Sequence, residues 1–99
     1  MAVVNLPNKN TANLYTAASV DTLIGGAAVD TVQITGGIAS GSIDLAGGAD
    51  KLTLANATNT VTVSNTETVI GGNGTDTITL GSAAAKTSIN LGAGNDKLT

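Results

Sequence analysis

Four aspartates, each at the end of a glycine-rich turn, are the residues of this sequence that could do chemistry. They are Asp30, Asp50, Asp76 and Asp96, and the turn that leads to Asp76 reads GGNGTD over residues 71–76. With the three residues TIT that follow, this turn fits every fixed position of the nonapeptide G-G-x-G-x-D-x-U-x, a pattern typical of calcium-binding β-helices. The turns therefore indicate candidate ligands for a calcium ion.

The same turn and its surroundings resemble the RTX (repeats-in-toxin, haemolysin-type) β-roll family of large bacterial secreted and surface proteins. The resemblance covers nearly all of residues 14–99 and includes the phrase SNTETVIGGNGTDTITL at residues 64–80. It implies an extracellular or cell-surface location and a Ca²⁺ ion held between equivalent turns of adjacent coils. The implied ligands are glycine carbonyls and carboxylate oxygens, which suit Ca²⁺. On this chain the implied metal residues are Gly72, Gly74, Asp76, Gly94, Asp96, Asp30 and Asp50.

Three of the four turns depart from the metal motif. GGAAVD at residues 25–30 lacks the third glycine, while AGGAD at 46–50 and GAGND at 92–96 lack the first. If each coil holds two strands, turn 25–30 lies beside turn 46–50, and turn 71–76 lies beside turn 92–96. This arrangement predicts at most two ion sites with two carboxylates each. The alternative is that these segments are ordinary turns in which the aspartate caps its own backbone.

An internal repeat of 46 residues predicts the secondary structure in which these turns lie. Residues 20–53 and 66–99 match at 15 of 34 positions without a gap, and the two copies span residues 8–53 and 54–99. Each copy contains five short segments of alternating apolar and polar residues, a period of two that is typical of β-strands. Glycine, asparagine, aspartate and serine separate these segments. The sequence therefore predicts an all-β parallel β-solenoid with about two short strands per coil and no helix.

The aliphatic residues of the alternating segments are expected to stack into hydrophobic ladders inside the solenoid. The predicted core is Ile24, Val32, Ile34, Ile43, Leu45, Leu52, Leu54, Val61, Val63, Val69, Ile78, Leu80, Ile89 and Leu91.

Composition argues against several functional classes. The net charge of −3, without arginine, disfavours nucleic acid, and no apolar run is long enough to cross a bilayer. The chain has no histidine and no cysteine, and Asp44 and Glu67 are expected to be isolated, so we predict no enzymatic activity.

The N-terminal residues lack the features of a Sec-type signal peptide. The outward pairs Thr60/Thr62 and Thr77/Thr79 leave an ice-binding face as an alternative.

The two ends of the predicted solenoid suggest how copies could associate. Residues 97–99 read KLT, the phrase that continues into a further coil after residues 51–53. Residues 8–99 hold two whole copies of the repeat, so a second chain could continue the solenoid with its own residue 8. Residues 1–7 would then form an apolar arm at the joint. We predict a homo-oligomer that stacks head-to-tail into filaments; a fragment of a longer repeat protein, such as an adhesin stalk, is the alternative.

Overall fold

The computed structural model of the chain describes residues 3–5, 13–17, 20–81 and 87–99. Within these ranges the chain forms eleven strands and no helix, and accordingly no described segment could cross a membrane as a helix. The strands are β1 Val3–Asn5, β2 Asn13–Ala17, β3 Thr22–Ile24, β4 Asp30–Ile34, β5 Gly41–Asp44, β6 Lys51–Thr53, β7 Asn59–Ser64, β8 Thr68–Ile70, β9 Asp76–Leu80, β10 Ser88–Asn90 and β11 Lys97–Leu98.

Alternate strands belong to two parallel sheets. The six odd-numbered strands form one sheet in the order β1-β3-β5-β7-β9-β11, which we call sheet A. The five even-numbered strands form sheet B in the order β10-β8-β6-β4-β2. Because every strand pairs in parallel with the strand two places further along the chain, each coil contains two strands. The predicted parallel β-solenoid is therefore confirmed.

The two copies of the repeat place their equivalent strands on opposite sheets. Leu23 lies on β3 in sheet A, whereas its equivalent, Val69, lies on β8 in sheet B. This exchange follows because a copy contains five strands and a coil contains two. Each copy therefore spans two and a half coils, and the next copy begins on the opposite sheet.

The core is a set of aliphatic ladders between the two sheets. Leu52 pairs with both Val32 and Val69, and all three side chains are buried. The prediction for β3 is wrong, because Ile24 is exposed and its neighbour Leu23 is buried. The register explains the difference: Leu23 aligns with buried Ile43, while Ile24 aligns with Asp44.

Burial of the ladders declines toward the last coil. Leu80, Ile89 and Leu91 belong to the predicted core, but they are only partly buried against it. Leu80 lies on β9 beyond the two residues that pair with β11, Ile89 lies on the outer strand β10, and Leu91 follows β10. Like Leu23, Val20 and Ile38 lie outside the predicted core and are fully buried. They belong to the connections that precede β3 and β5.

The first described residues add a strand to the solenoid. Val3, Val4 and Asn5 of the predicted N-terminal arm form β1, which pairs with β3 as Val3↔Thr22, Val4↔Leu23 and Asn5↔Ile24. Val4 packs partly against the core, while Val3 remains exposed. The other residues of the arm lie outside the described ranges.

Candidate functional site: two columns of acidic and amide side chains

The acidic residues of the turns stand at the starts of strands, in two columns on opposite sides of the solenoid. The first column, where the chain passes from sheet A to sheet B, contains Asp30, Asp50 and Glu67. The second column, where the chain returns to sheet A, contains Asn59, Asp76 and Asp96. Each member either begins its strand or immediately precedes it.

In the first column, the Asp50 and Glu67 side chains reach back to the backbone of the preceding coil. The Asp30 N–H donates to Oδ1 of Asp50 across 2.7 Å, and these residues are 20 positions apart. The Asp50 N–H donates to Oε2 of Glu67 across 2.7 Å, a separation of 17 positions. Oδ2 of Asp30 accepts the N–H of Gly26 at 3.0 Å within its own turn. The column therefore ties three successive coils together through carboxylate-to-backbone hydrogen bonds.

The second column repeats this arrangement with an asparagine at its first position. Oδ1 of Asn59 accepts the Ile38 N–H at 3.1 Å, and its Nδ2 donates to Oδ1 of Asp76 at 2.8 Å. The Asp76 N–H in turn donates to Oδ1 of Asp96 at 2.9 Å. Nδ2 of Asn59 also donates to the carbonyls of Ala55 and Ala57. Asn59 is fully buried, and its amide contacts polar groups of the preceding coil, its own turn and the following coil.

Two glycine positions of the motif are explained by the close approach of other groups. A Cβ on Gly71 would lie 2.5 Å from Oδ2 of Asp76 and 2.8 Å from the Leu91 carbonyl oxygen. Gly25 stands in the same relation to Asp30, with 2.5 Å to its Oδ2. Gly74 has a φ of +126° and packs on the Ala57 carbonyl of the previous coil. These contacts require glycine for stacking, whether or not an ion is bound.

The structure brings together both pairs of carboxylates that the sequence predicts. Asp30 lies beside Asp50 and Asp76 beside Asp96, and each pair is joined by one backbone N–H to carboxylate bond. Gly72, Gly74 and Gly94 all have positive φ in the turns beside the second pair. The Gly72 carbonyl accepts the Ala93 N–H at 3.2 Å, and Gly94 packs on the carbonyl of Gly74. The carbonyl of Gly72 is thus engaged within the protein.

Two buried carboxylate oxygens of the columns lack a hydrogen-bond partner. Oδ2 of Asp50 and Oδ2 of Asp76 are buried and accept no hydrogen bond within the described residues. Desolvation by burial, reinforced by the nearby charges of Asp30 and Glu67, raises the pKa of Asp50 to about 6. Desolvation likewise raises the pKa of Asp76, with a smaller opposing effect from the Asn59 hydrogen bond. These two buried oxygens have coordinating capacity left.

The residues present match the donor chemistry of Ca²⁺ in part. Two orphaned carboxylate oxygens and neighbouring carbonyls are the hard oxygen donors that this ion takes. Across the described ranges, however, no three acidic side chains converge on one point. An ion on either pair would therefore draw most of its ligands from carbonyls and water.

Sequence reasoning missed two members of the columns. Glu67 was expected to be isolated, and that expectation is wrong, because it accepts the Asp50 N–H. Asp44 is also partnered, since its Oδ1 accepts the Ala46 N–H and the Asn65 amide, each at 2.9 Å. The signal that could have found Glu67 and Asn59 is their place immediately before or at the first residue of an alternating strand segment.

Comparisons with known proteins add no relative. No family model, no curated protein and no solved structure matches this chain. The likeness to RTX β-rolls therefore rests on the turn motif and the repeat.

Proposed function

We propose that this chain is a non-enzymatic structural module that stacks head-to-tail with further copies of itself into a continuous β-solenoid. The observation that carries the proposal is the contrast between Leu52 and Leu98, which occupy equivalent positions of the KLT phrase in the two copies of the repeat. Leu52 is 0% exposed because β8 pairs with its strand, while Leu98 on the edge strand β11 is 49% exposed. A neighbouring copy that covered β11 would bury Leu98 as β8 buries Leu52.

The joint between the two repeats supplies the register for such a contact. Within the chain, Lys51, Leu52 and Thr53 pair with Thr68, Val69 and Ile70. The corresponding strands at the two ends are β11 and β3, with the phrases KLT and TLI. The matching intermolecular pairs are Lys97↔Thr22, Leu98↔Leu23 and Thr99↔Ile24. The same shift maps the β5–β7 pairing onto β10 and β2 of the neighbour.

The polar columns offer a second point of continuity. Inside the chain the Asp50 N–H donates to Glu67 across the joint between repeats. The equivalent residues at the ends are Asp96 and Asp21, and Asp21 is exposed. A carboxylate would therefore stand where the preceding coil presents a backbone N–H, as it does within each column.

Engineered disulfides test this register, because the natural chain has no cysteine. The double variant Thr22→Cys/Lys97→Cys should form linear disulfide-linked ladders of many copies on mild oxidation at high concentration. Parallel neighbours in a sheet lie about 4.8 Å apart, within the Cα separation of about 4.4–6.8 Å that a disulfide spans. Lys51→Cys/Thr68→Cys, which has the same register inside one chain, is the positive control and should close intramolecularly.

Two measurements decide the outcome. Electron microscopy and light scattering of the unmodified chain at rising concentration should show filaments whose growth is abolished by Leu98→Asn. The variant Thr22→Cys/Lys51→Cys, with its cysteines on opposite sheets, should give no ladder. A chain that stays monomeric at all concentrations, or ladders of equal yield from both cysteine pairs, would overturn the proposal.

Calcium is part of the proposal as a stabiliser of the stacked coils. The support comes from the buried, unpartnered Oδ2 atoms of Asp50 and Asp76 and from the likeness of turn 71–76 to the RTX motif. We place such a module outside the cell or at the cell surface, in a matrix filament or surface layer, because that location goes with the same resemblance.

An ice-binding face is the second candidate, favoured by the rows of threonine on sheet A. Thr60 pairs with Thr77 and Thr62 with Thr79, and Ser42 extends the second row. Such rows present hydroxyl and methyl groups at the strand spacing of about 4.8 Å. Thermal hysteresis tests the idea: Thr62→Lys should remove it, and Thr53→Lys on sheet B should leave it unchanged. An unmodified chain without thermal hysteresis would exclude this function.

A further inference from the structure

We infer that β1 occupies the site on β3 that receives β11 of a neighbouring copy, so that β1 must leave before the solenoid can extend. The inference rests on the proposed head-to-tail stacking and adds to it a defined receptor edge with an internal occupant. The partner that fits this edge is the last strand of sheet A from a second copy of this chain.

β1 pairs with the same three residues of β3 that the proposed joint assigns to β11 of a neighbour. β1 pairs with β3 as Val3↔Thr22, Val4↔Leu23 and Asn5↔Ile24. The internal joint, carried over to the chain ends, assigns Lys97, Leu98 and Thr99 of the neighbour to the same three partners. The two strands therefore compete for one edge, residue for residue, with Val4 in the place of Leu98.

β1 also makes the number of strands in the two sheets unequal. With β1 in place, the described residues give six strands to sheet A and five to sheet B. Copies joined in this form would place one extra strand in sheet A at every joint, so the two sheets could not both stay paired. Without β1 each sheet contains five strands, and both sheets continue across the joint in the register found inside the chain.

The weak attachment of β1 makes the exchange feasible. The strand has three residues; Val3 is 55% exposed and Val4 is only half-buried. An incoming β11 together with Thr99 offers the same number of backbone positions, and it brings the larger side chain of Leu98. Displacement thus replaces one short parallel pairing with an equivalent one, and the neighbour adds the β10–β2 pairing, for which β1 has no counterpart.

A reversible lock on β1 tests the inference. Val3 and Thr22 are direct partners in a parallel pair, so Val3→Cys/Thr22→Cys should hold β1 on β3 when oxidised. We expect the oxidised form to assemble about tenfold or more less readily than its reduced form, because only copies with a free edge bind a neighbour. The matched control is Thr31→Cys/Lys51→Cys, which links neighbouring strands of sheet B inside the chain and should assemble equally well in both redox states.

A second variant distinguishes the proposed role of β1 from an effect of the disulfide on folding. Val4→Asp weakens the packing of β1 but changes no residue of the joint, so it should assemble faster than the unmodified chain. Filaments that grow equally from the oxidised and reduced lock, or that are not accelerated by Val4→Asp, would overturn the role of β1 and leave head-to-tail stacking intact. Absence of filaments from every form, Val4→Asp included, would overturn both.

Discussion

The Asp50 carboxylate accepts the backbone N–H of Asp30 across 2.7 Å, so a buried acid joins equivalent positions of two adjacent coils. The same relation links Asp96 to Asp76 at 2.9 Å in the other column. Asp50 and Asp96, which end two of the glycine-rich turns, therefore have a stacking role in the protein itself. Each accepts the N–H at the start of a strand in the preceding coil.

Removal of the Asp50 charge should change how stability depends on pH. Its pKa is raised to about 6, chiefly by burial, whereas an aspartate of an unfolded chain titrates near about 3.9. Between these values the folded protein binds a proton that the unfolded chain does not, so the free energy of unfolding falls as pH rises from about 4 to about 6. In Asp50→Asn this decrease should be smaller. Urea unfolding in calcium-free buffer across this range measures it, and equal slopes for both proteins would contradict the assignment.

Gly71→Ala should destabilise the solenoid by about 1–3 kcal/mol, the usual cost of overpacking. The new Cβ would meet Oδ2 of Asp76 at 2.5 Å and the Leu91 backbone within 2.9 Å. Gly47→Ala is the matched control, since its Cβ would meet nothing nearer than 3.5 Å. That change should be neutral or stabilise by about 0.4–1 kcal/mol through the unfolded chain. Denaturant midpoints compare the two, and equal midpoints would rule out the steric explanation.

Asn59→Asp should weaken the second column strongly at neutral pH. The Asn59 amide donates to Oδ1 of Asp76 and to two carbonyls. A carboxylate would repel Asp76 and could donate to none of these acceptors. Each buried group left without a partner costs about 1–3 kcal/mol. Part of the loss should be recovered at about pH 4–5, where one acid of the new pair is protonated. Thermal unfolding at two pH values measures this. Asn95→Asp, at an exposed turn position, should show neither effect.

Leu23→Ala and Ile24→Ala should differ sharply although the residues are adjacent. Leu23 is fully buried and Ile24 is 40% exposed, so the first change should cost about 2–5 kcal/mol. The second should stay within about 0.5 kcal/mol, as is usual for surface positions. Equilibrium unfolding of both variants reports the difference, and a costly Ile24→Ala beside a mild Leu23→Ala would mean that β3 pairs in the opposite register.

Calcium should raise the melting temperature at pH 7.5 more than at pH 5, because the ion must displace the protons that burial favours on Asp50 and Asp76. At a concentration of one hundred times its Kd, a bound ion adds about 2.7 kcal/mol. Asp76→Asn/Asp96→Asn should remove the response of the second pair, and Asp30→Asn/Asp50→Asn that of the first. Asp44→Asn, outside the columns, should retain the full response. No shift at millimolar Ca²⁺ in the unmodified chain would exclude the ion.

Alternation and repetition were enough to predict the solenoid, but not the register of each strand. The pattern around Leu52 and Ile78 has one apolar phase, so their burial follows from the sequence. In β3 two apolar residues are adjacent, and only the pairing with β5 decides that Leu23 faces inward. The sequence predicted only part of the columns. The 20-residue spacing of Asp30 and Asp50 occurs again between Asp76 and Asp96, so it could be recognised. The 17-residue spacing of Asp50 and Glu67 could not, because it depends on a shorter turn that only the structure shows.

The exchange of sheets between the two repeats amounts to a screw operation on the chain. Each copy is carried to the next by a half rotation about the solenoid axis and a rise of two and a half coils, about 12 Å at the usual strand spacing. Equivalent outward positions such as Thr31 and Thr77 thus project in opposite directions. Any group attached to the repeat would be displayed alternately on two faces and would return to the same face only after about 24 Å, so a filament of this chain would present two equivalent, staggered arrays.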